Sequence, residues 1–360
     1  MSKDVSRRLS DLKARRQGKT MTMDSLYESV AGLEKFESRS TGEWSKYALG
    51  IMQEVDPVYT NNSIAEGERV KNQIINRINT NVVFDYQGSV PLNVHIRGVS
   101  DIDILVLLND YLTYDSTGTK ASTYYPWAGP SGIEQLASLR NELEVELKAA
   151  FWGAEVDITG DKAIGLSGGS LKRKVDVVPS HWHDSATYQS SQNKKDREVY
   201  IFQKNSNTTF CNRPFLHIDK VNEKDQRCLG CIKKIVRMLK NLKADSDNPS
   251  SISVNSYEIA GLVYHFEEPP ISFSFYQELA LIAATRQQLD RMIDNKQWTM
   301  GLITPDGIRK IIDSEEKFES LKLLRAEVND LLKNLAQELT GQSWVADSEA
   351  VRVVGNARVY

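Results

Sequence analysis

Residues 101–108 read Asp101-Ile102-Asp103-Ile104-Leu105-Val106-Leu107-Leu108, and this stretch decides the fold. The unbroken apolar run from Ile104 to Leu108 is too long for a strand with one wet face, so it predicts a central strand covered on both sides. Side chains alternate along a strand, which puts Asp101 and Asp103 on one face and Ile102 and Ile104 on the other. Two carboxylates held about 7 Å apart on a rigid strand repel unless a cation sits between them. A divalent magnesium ion, which takes carboxylate oxygens together with substrate phosphates, suits that pair. A third acid, Asp176, lies in a second apolar segment, Lys174-Val175-Asp176-Val177-Val178-Pro179, where Pro179 is expected to end the strand.

A lone Asp-x-Asp pair arises by chance in a chain with 48 acids among 360 residues; Asp245-Ser246-Asp247 is another, in a turn, and carries no weight. The conjunction is more specific. An N-terminal helix is followed by a Gly88-Ser89 turn, an acid pair in a buried strand, and one more acid in a second buried strand. Unpaired acids are costly to bury, so core packing alone does not favour the set.

Working outward, an apolar helical pattern over 40–51 breaks at Asp56-Pro57, and 63–80 place Ile64, Val70, Ile74, Ile75 and Ile78 at helical spacing. Val82-Val83-Phe84 is a short strand. Residues 109–130 read as a long aromatic connection, and Ser131 with Glu134 forms a capping-box pattern opening a helix to about Phe151. Further strands are expected near 154–160 and 171–178, with Gly165–Ser170 as a hairpin turn between them. From about Asp219 the pattern turns helical, with helices over 222–243, 255–266, 274–294 and 314–339. The last carries Phe318, Leu321, Leu324, Val328, Leu331, Leu335 and Leu339 as a core-packing stripe. The division expected is a basic N-terminal arm or helix over 1–39 (Lys3, Arg7, Arg8, Lys13, Arg15, Arg16, Lys19), a core over 40–215 that carries the acids, a helical C-terminal lobe over 216–340, and a tail over 341–360.

Composition bounds the function classes. Lys and Arg number 45 against 48 Asp and Glu, a net charge of −3, so no global basic field calls for nucleic acid. Three cysteines suit a reducing cytoplasm, and no apolar run approaches the ~18 residues of a membrane span.

The Gly-Ser turn, Asp-x-Asp pair and distant third Asp resemble the pattern of the DNA-polymerase-β-like nucleotidyltransferases. Arg237 and Lys240, with Lys233 on the same helix face, followed by Ser256-Tyr257 opening the next helix, look like the oligoadenylate synthetase and cyclic GMP-AMP synthase superfamily. Residues 47–60 and Glu68-Arg69-Val70 look like its bacterial members, the CD-NTases of anti-phage signalling. Arg97-Gly98 and Ser100 match the segment before the acid pair, whereas Leu92-Asn93-Val94-His95 stands where many relatives carry an Arg-Gly-Thr type spacer.

The resemblance, over roughly residues 40–340, implies an α+β, two-lobed fold: a mixed sheet bearing the acids, a helical C-terminal lobe, and nucleotide in the cleft between them. It implies magnesium-dependent synthesis of a cyclic di- or trinucleotide from NTPs, ATP among them, with manganese as a substitute metal. Asp101, Asp103 and Asp176 hold two metal ions on this reading. Gly88 and Ser89 approach the phosphates, Arg237 and Lys240 neutralise the leaving pyrophosphate, Ser256 contacts the triphosphate, and Tyr257 stacks on the base. A regulatory protein partner is implied by related bacterial systems; a membrane and a nucleic acid are not. The rival readings are nucleotide addition to RNA and a non-catalytic nucleotide-binding scaffold.

Other features of the sequence carry less weight. Cys228-x-x-Cys231, with Cys211 and His217, lacks the second cysteine pair of a zinc ribbon. His181-x-His183 reads as a loop or acceptor-pocket element, and Asp157 and Asp161 as turn residues, Asp157 being the alternative third metal ligand.

Overall fold

The computed structural model describes residues 4–17, 36–96, 98 and 100–360. Lys3, Lys19 and Arg97, and the side chain of Arg16, lie outside the described residues. The chain packs into two compact units that interleave in sequence: Val58–Leu92 with Ser100–Lys220, and Met1–Pro57 with Asn93–Val99 and Val221–Tyr360. Packing thus divides the chain differently from sequence order. Residues 40–57, expected in the catalytic core, pack with the helical unit, and the tail 341–360 holds a helix.

Among the described residues, α1 (Val5–Gln17) and α2 (Glu43–Met52) precede α3 (Pro57–Ile75). Pro57 does break the preceding pattern, and it also opens α3, where its missing N–H has no partner to lose. The sheet unit continues with β1 (Val82–Gln87), β2 (Ile102–Tyr114), α4 (Gly132–Ala150), β3 (Glu155–Asp157), β4 (Ile164–Ser167), β5 (Val175–Asp184), α5 (Ala186–Ser191), β6 (Glu198–Gln203) and β7 (Thr208–Asn212). Strand order is β1-β2-β5-β4-β3, with β6 pairing β5 and β7 pairing β6. Among the described residues only β2 and β5 run parallel, which requires a crossover, and α4 lies in it.

The capping box forms as read: Ser131 Oγ accepts from Glu134 N, and Glu134 Oε2 accepts from Ser131 N at 2.7 Å. From that start, Leu136, Leu139, Leu143 and Leu147 bury one stripe of α4 against Ile102, Ile104, Val106, Leu108, Val175 and Val177, joined by Val70 and Ile74 of α3. Each leucine so buried contributes about 1.5–3 kcal/mol. The opposite face carries a second cluster, Leu105, Leu107, Val178, Val199 and Ile201. The two clusters alternate along β2, so this strand is covered on both faces, as its apolar run requires.

Both central strands are longer than expected. β2 continues to Tyr114 past a register shift between Leu108 and Leu112, because β5 runs on to Asp184 and supplies partners for Leu112–Tyr114. The connection to α4 therefore begins at 115. Pro179 does not end β5, and the hydrogen bonding explains why. Ile102 N donates to Lys174 O at 3.1 Å, so even-numbered residues of β5 bond toward β2 and odd-numbered ones toward the other edge. On that other edge β4 pairs as far as Val177 and β6 begins at Ser180. Pro179 falls in the gap, where its missing N–H leaves nothing unpaired. The connection between these strands runs over 168–174 rather than 165–170: Gly165–Ser167 belong to β4, β5 begins only at Val175, and Gly168 and Gly169 open the connection at positive φ.

In the helical unit the expected helix over 222–243 is two, α6 (Pro214–Arg227) and α7 (Cys231–Ala244). The break is at Leu229 and Gly230, with φ of 57° and 80°. After them come α8 (Ser256–Tyr264), α9 (Ala280–Asp294), α10 (Lys296–Thr299), α11 (Glu315–Thr340) and α12 (Asp347–Gly355). The stripe of α11 is core from Phe318 to Leu335, and Leu339 is exposed. In the described part of the basic N-terminal segment, α1 is packed down. Leu9 and Leu12 are buried, Arg8 donates to Glu327 at 2.7 Å, and Arg15 pairs with Asp245, which also accepts from Tyr47 Oη at 2.8 Å. No helix among the described residues is long and apolar enough to cross a membrane.

Candidate functional site

Register lines up a row across the sheet. Gln87 of β1 lies opposite Asp103 of β2, Asp103 opposite Asp176 of β5, Asp176 opposite Gly165 of β4, and Gly165 opposite Asp157 of β3. Asp101 precedes Asp103 by two residues and shares its face by strand alternation. Neighbouring strands are about 4.8 Å apart, and like charges directly opposite each other destabilise a sheet. Folding alone does not explain Asp103 facing Asp176.

Charge at this end of the sheet is correspondingly strained. Burial pushes the Asp176 carboxyl above the usual carboxylate range, and Asp101 and Asp157 add to that rise while Lys174 opposes it. Lys174 Nζ donates to Asp101 Oδ2 at 2.8 Å and stands 3.6 Å from Asp176 Oδ1. Its own pKa is raised, chiefly by the hydrogen bond to Asp101. Asp157 accepts from Thr159 N and Oγ1 at 2.8 and 2.6 Å, and these bonds hold its carboxyl below the usual range.

Gly88 follows β1 at φ +83°, and a Cβ there would stand 2.3 Å from Asp103 Oδ2. Conformation and space both demand glycine beside this acid. Ser89 follows in the turn, half-buried.

The fit to a divalent ion follows from donor chemistry. Asp101, Asp103 and Asp176 present only hard carboxylate oxygens, and an acid whose pKa neighbouring acids raise is one that a cation relieves. Among the described residues, no three His, Cys, Asp or Glu side chains are already drawn around one point. The cation that faces two of the acids is Lys174.

The basic residues of α7 have another task than the one expected of them. Arg237 is 2% and Lys240 4% exposed. Arg237 Nε donates to Met52 O at 2.8 Å and Nη1 to Asn93 O at 2.7 Å, while Lys240 Nζ donates to Val94 O at 2.9 Å. Burial brings the Arg237 pKa down to about 10. These cations satisfy backbone carbonyls that helix packing would otherwise leave unpaired. Lys233, on the same side of the helix, stands 3.9 Å from Asp225.

At the start of α8 the cap is Asn255, not Ser256. Its side chain accepts from Tyr257 N and Glu258 N, and Glu258 completes a capping box. Ser256 is exposed, with its hydroxyl outside the cap. Tyr257 Oη donates to Asp306 Oδ2 at 2.6 Å, its ring lies under the Arg309 guanidinium at 5.0 Å, and burial raises its hydroxyl pKa. Sequence reading missed Asp306, although Thr304-Pro305-Asp306-Gly307 is a turn signal in plain view.

His181 and His183 lie inside β5, on the face opposite the acids. His181 stacks on Tyr200, His183 bonds Thr113 Oγ1 at 2.8 Å, and burial lowers both pKa values. Cys228 and Cys231 are free, buried thiols, and Cys211 donates to Glu198 at 3.2 Å. Asp161 accepts from Asn205 N at 2.8 Å, tying down a loop.

Comparison with known proteins extends this geometry. The model of the cGAS/DncV-like nucleotidyltransferase C-terminal helical domain matches residues 219–345. The cyclic dinucleotide synthase CdnE of Yersinia aleksiciae is 37% identical over 357 residues, covering 94% of this chain and 93% of its own. A c-di-GMP synthase of Capnocytophaga granulosa is 34% identical over 320 residues, with 82% and 88% covered. The solved STING-associated CdnE c-di-GMP synthase from Capnocytophaga granulosa matches with a TM-score of 0.73 at 30% identity, over 91% of this chain and 97% of that one. The α+β class with a mixed sheet and a helical C-terminal domain, expected from sequence, holds.

Proposed function

The chain belongs to the cGAS/DncV-like nucleotidyltransferases, the CD-NTases, and from that premise we propose that it joins two GTP molecules into cyclic di-GMP. As a CD-NTase it is a nucleotidyltransferase that makes a cyclic oligonucleotide second messenger in anti-phage signalling. The finer assignment, a guanine dinucleotide, rests on the relatives whose names carry that product. The observation that carries the catalytic reading is Asp103 set opposite Asp176 with Asp101 beside them, a like-charge cluster that a metal-dependent site needs and a folded sheet does not.

The family works with a divalent metal, and on our reading Asp101, Asp103 and Asp176 hold two magnesium ions. Such ions, when bound, screen the triphosphate and stabilise the attacking and leaving oxygens of an in-line displacement. In each of two rounds the acceptor ribose oxygen bonds to the donor α-phosphorus, the α–β phosphoanhydride breaks, and pyrophosphate leaves.

This chain's own residues supply position. Gly88, lacking a side chain, lets the donor phosphates approach the backbone next to Asp103, and Ser89 offers a hydroxyl and an N–H there. Asp176, completing the second metal site, favours deprotonation of the acceptor hydroxyl there. Ser256 contacts phosphate through its uncommitted hydroxyl, and Tyr257, its Oη fixed by Asp306, stacks on a base.

The test is mass spectrometry of products from purified protein with each NTP singly and all four together, in magnesium, beside the D101N variant. Cyclic di-GMP from GTP alone, absent with D101N, is the expected result. A cyclic product of other bases overturns the guanine assignment but keeps the class. Label transferred only when RNA is added favours the RNA-extending reading.

A further inference from the structure

Lys174 precedes Asp176 by two residues, so strand alternation puts both on one side of the sheet. Its ammonium bonds Asp101 at 2.8 Å and reaches within 3.6 Å of Asp176, which places a +1 charge among the carboxylates that would hold metal. We propose that Lys174 is the built-in counter-ion of this acid row, that it competes with the divalent metal for Asp101 and Asp176, and that it withdraws to Asp157 when metal binds. The inference rests on the metal-binding reading of the acids.

Three observations support a cation that is held but able to leave. The Lys174 side chain is 48% exposed and Asp101 33%, and water screens an ion pair so exposed, so releasing it costs little. Gly165 leaves the way open. It stands between Asp176 and Asp157 in the register row, and an added Cβ would lie 3.4 Å from Asp176 Oδ1, 3.7 Å from Asp157 Cβ and 3.8 Å from Lys174 Cε. The lysine stem therefore runs beside a bare stretch of backbone with an acid on either side. Asp157 is exposed and already feels the Lys174 charge, so the displaced ammonium has an anion within its reach.

The consequence is a site that resists metal until the metal brings enough charge to displace the lysine. Without metal, Lys174 keeps Asp101 and Asp176 from repelling each other. A divalent ion arriving with a nucleotide triphosphate adds phosphate oxygens as a further acceptor for the released ammonium.

Manganese binding to the full chain without nucleotide, followed by the electron-spin-resonance signal of free Mn²⁺, tests this apart from catalysis. K174M keeps the stem and removes the charge, so it should tighten Mn²⁺ binding by roughly three- to tenfold. K174R keeps the charge and should stay within about twofold of the parent, on the same grounds. D157N should weaken binding by about twofold in the parent and leave K174M unchanged, because only a lysine needs somewhere to go. Unchanged or weaker binding by K174M overturns the proposal, and so does K174R behaving like K174M. A D157N effect of equal size in both backgrounds makes Asp157 a metal ligand and overturns the withdrawal step. The D101N control separates the two levels: if it still binds Mn²⁺ as the parent does, the metal reading of the acids has failed, whatever Lys174 does.

Discussion

The acids of the sheet and the cations of α7 look alike in sequence: charged residues at regular spacing inside apolar elements. Their surroundings are opposite. Arg237 and Lys240 are almost wholly buried, and backbone carbonyls of residues 52, 93 and 94 take their donors. Asp101, Asp103 and Asp176 stand at the start of their strands, partly open to solvent, repelling one another with a single exposed lysine between two of them. The first arrangement is charge consumed by the fold. The second is charge the fold tolerates at a cost, which is the mark of a group kept for a ligand.

Four experiments test that contrast. D103N should lower the yield of cyclic product by about 10³-fold or more. Its melting temperature should hold or rise, because a repulsion across β2 and β5 is relieved. Marked destabilisation would instead make Asp103 part of the architecture. R237M keeps the stem but strands two buried carbonyls, and should cost about 3 kcal/mol in denaturant unfolding. Per folded molecule its product yield should stay within about threefold of the parent. Lost activity at unchanged stability would return Arg237 to the nucleotide. G88A forces a Cβ toward Asp103 at a positive φ, so initial rates should drop by about 10²-fold from a displacement of the order of 1 Å.

The smallest effect is one of pH. Burial lowers the pKa of His181 and His183 in the folded chain, so below the unfolded value of about 6.5 the unfolded state binds more protons. Stability should therefore be full above that value and decline as pH falls through it, while Mn²⁺ binding near pH 6.5 is untouched, since these rings face away from the acids. A chemical melt at pH 7.5 and 5.5 reads the sign.

What the sequence told and withheld follows the same division. Strand alternation depends only on neighbours, so the shared face of Asp101 and Asp103 and the central place of Ile104–Leu108 could be read directly. The Ser131–Glu134 box is equally local, and it formed as read. Pattern could not show how far β2 and β5 run, because residues 112–114 become strand only through partners seventy positions away. Nor could it show whether a basic helix face meets water or carbonyls; Arg237 and Lys240 have the same spacing either way. Gly230 was readable as a helix break but was overlooked within an otherwise periodic stretch. Lys174 had its parity written beside Asp176, and only the side-chain distances revealed it as the cation among the acids.

Pro179 has a consequence for motion. Along one edge β5 hands over from β4 to β6, and the residue at the handover has no amide hydrogen to join the two ladders. The hairpin β3–β4 and the pair β6–β7 are therefore not joined by a ladder through β5; what ties them is Asp161, whose backbone and side-chain oxygens accept from Lys204 N and Asn205 N. In hydrogen exchange, any coupling between the amides of Ile164–Leu166 and of Val199–Ile201 should weaken in D161A. The even-numbered amides of β5 that point toward β2 should outlast both.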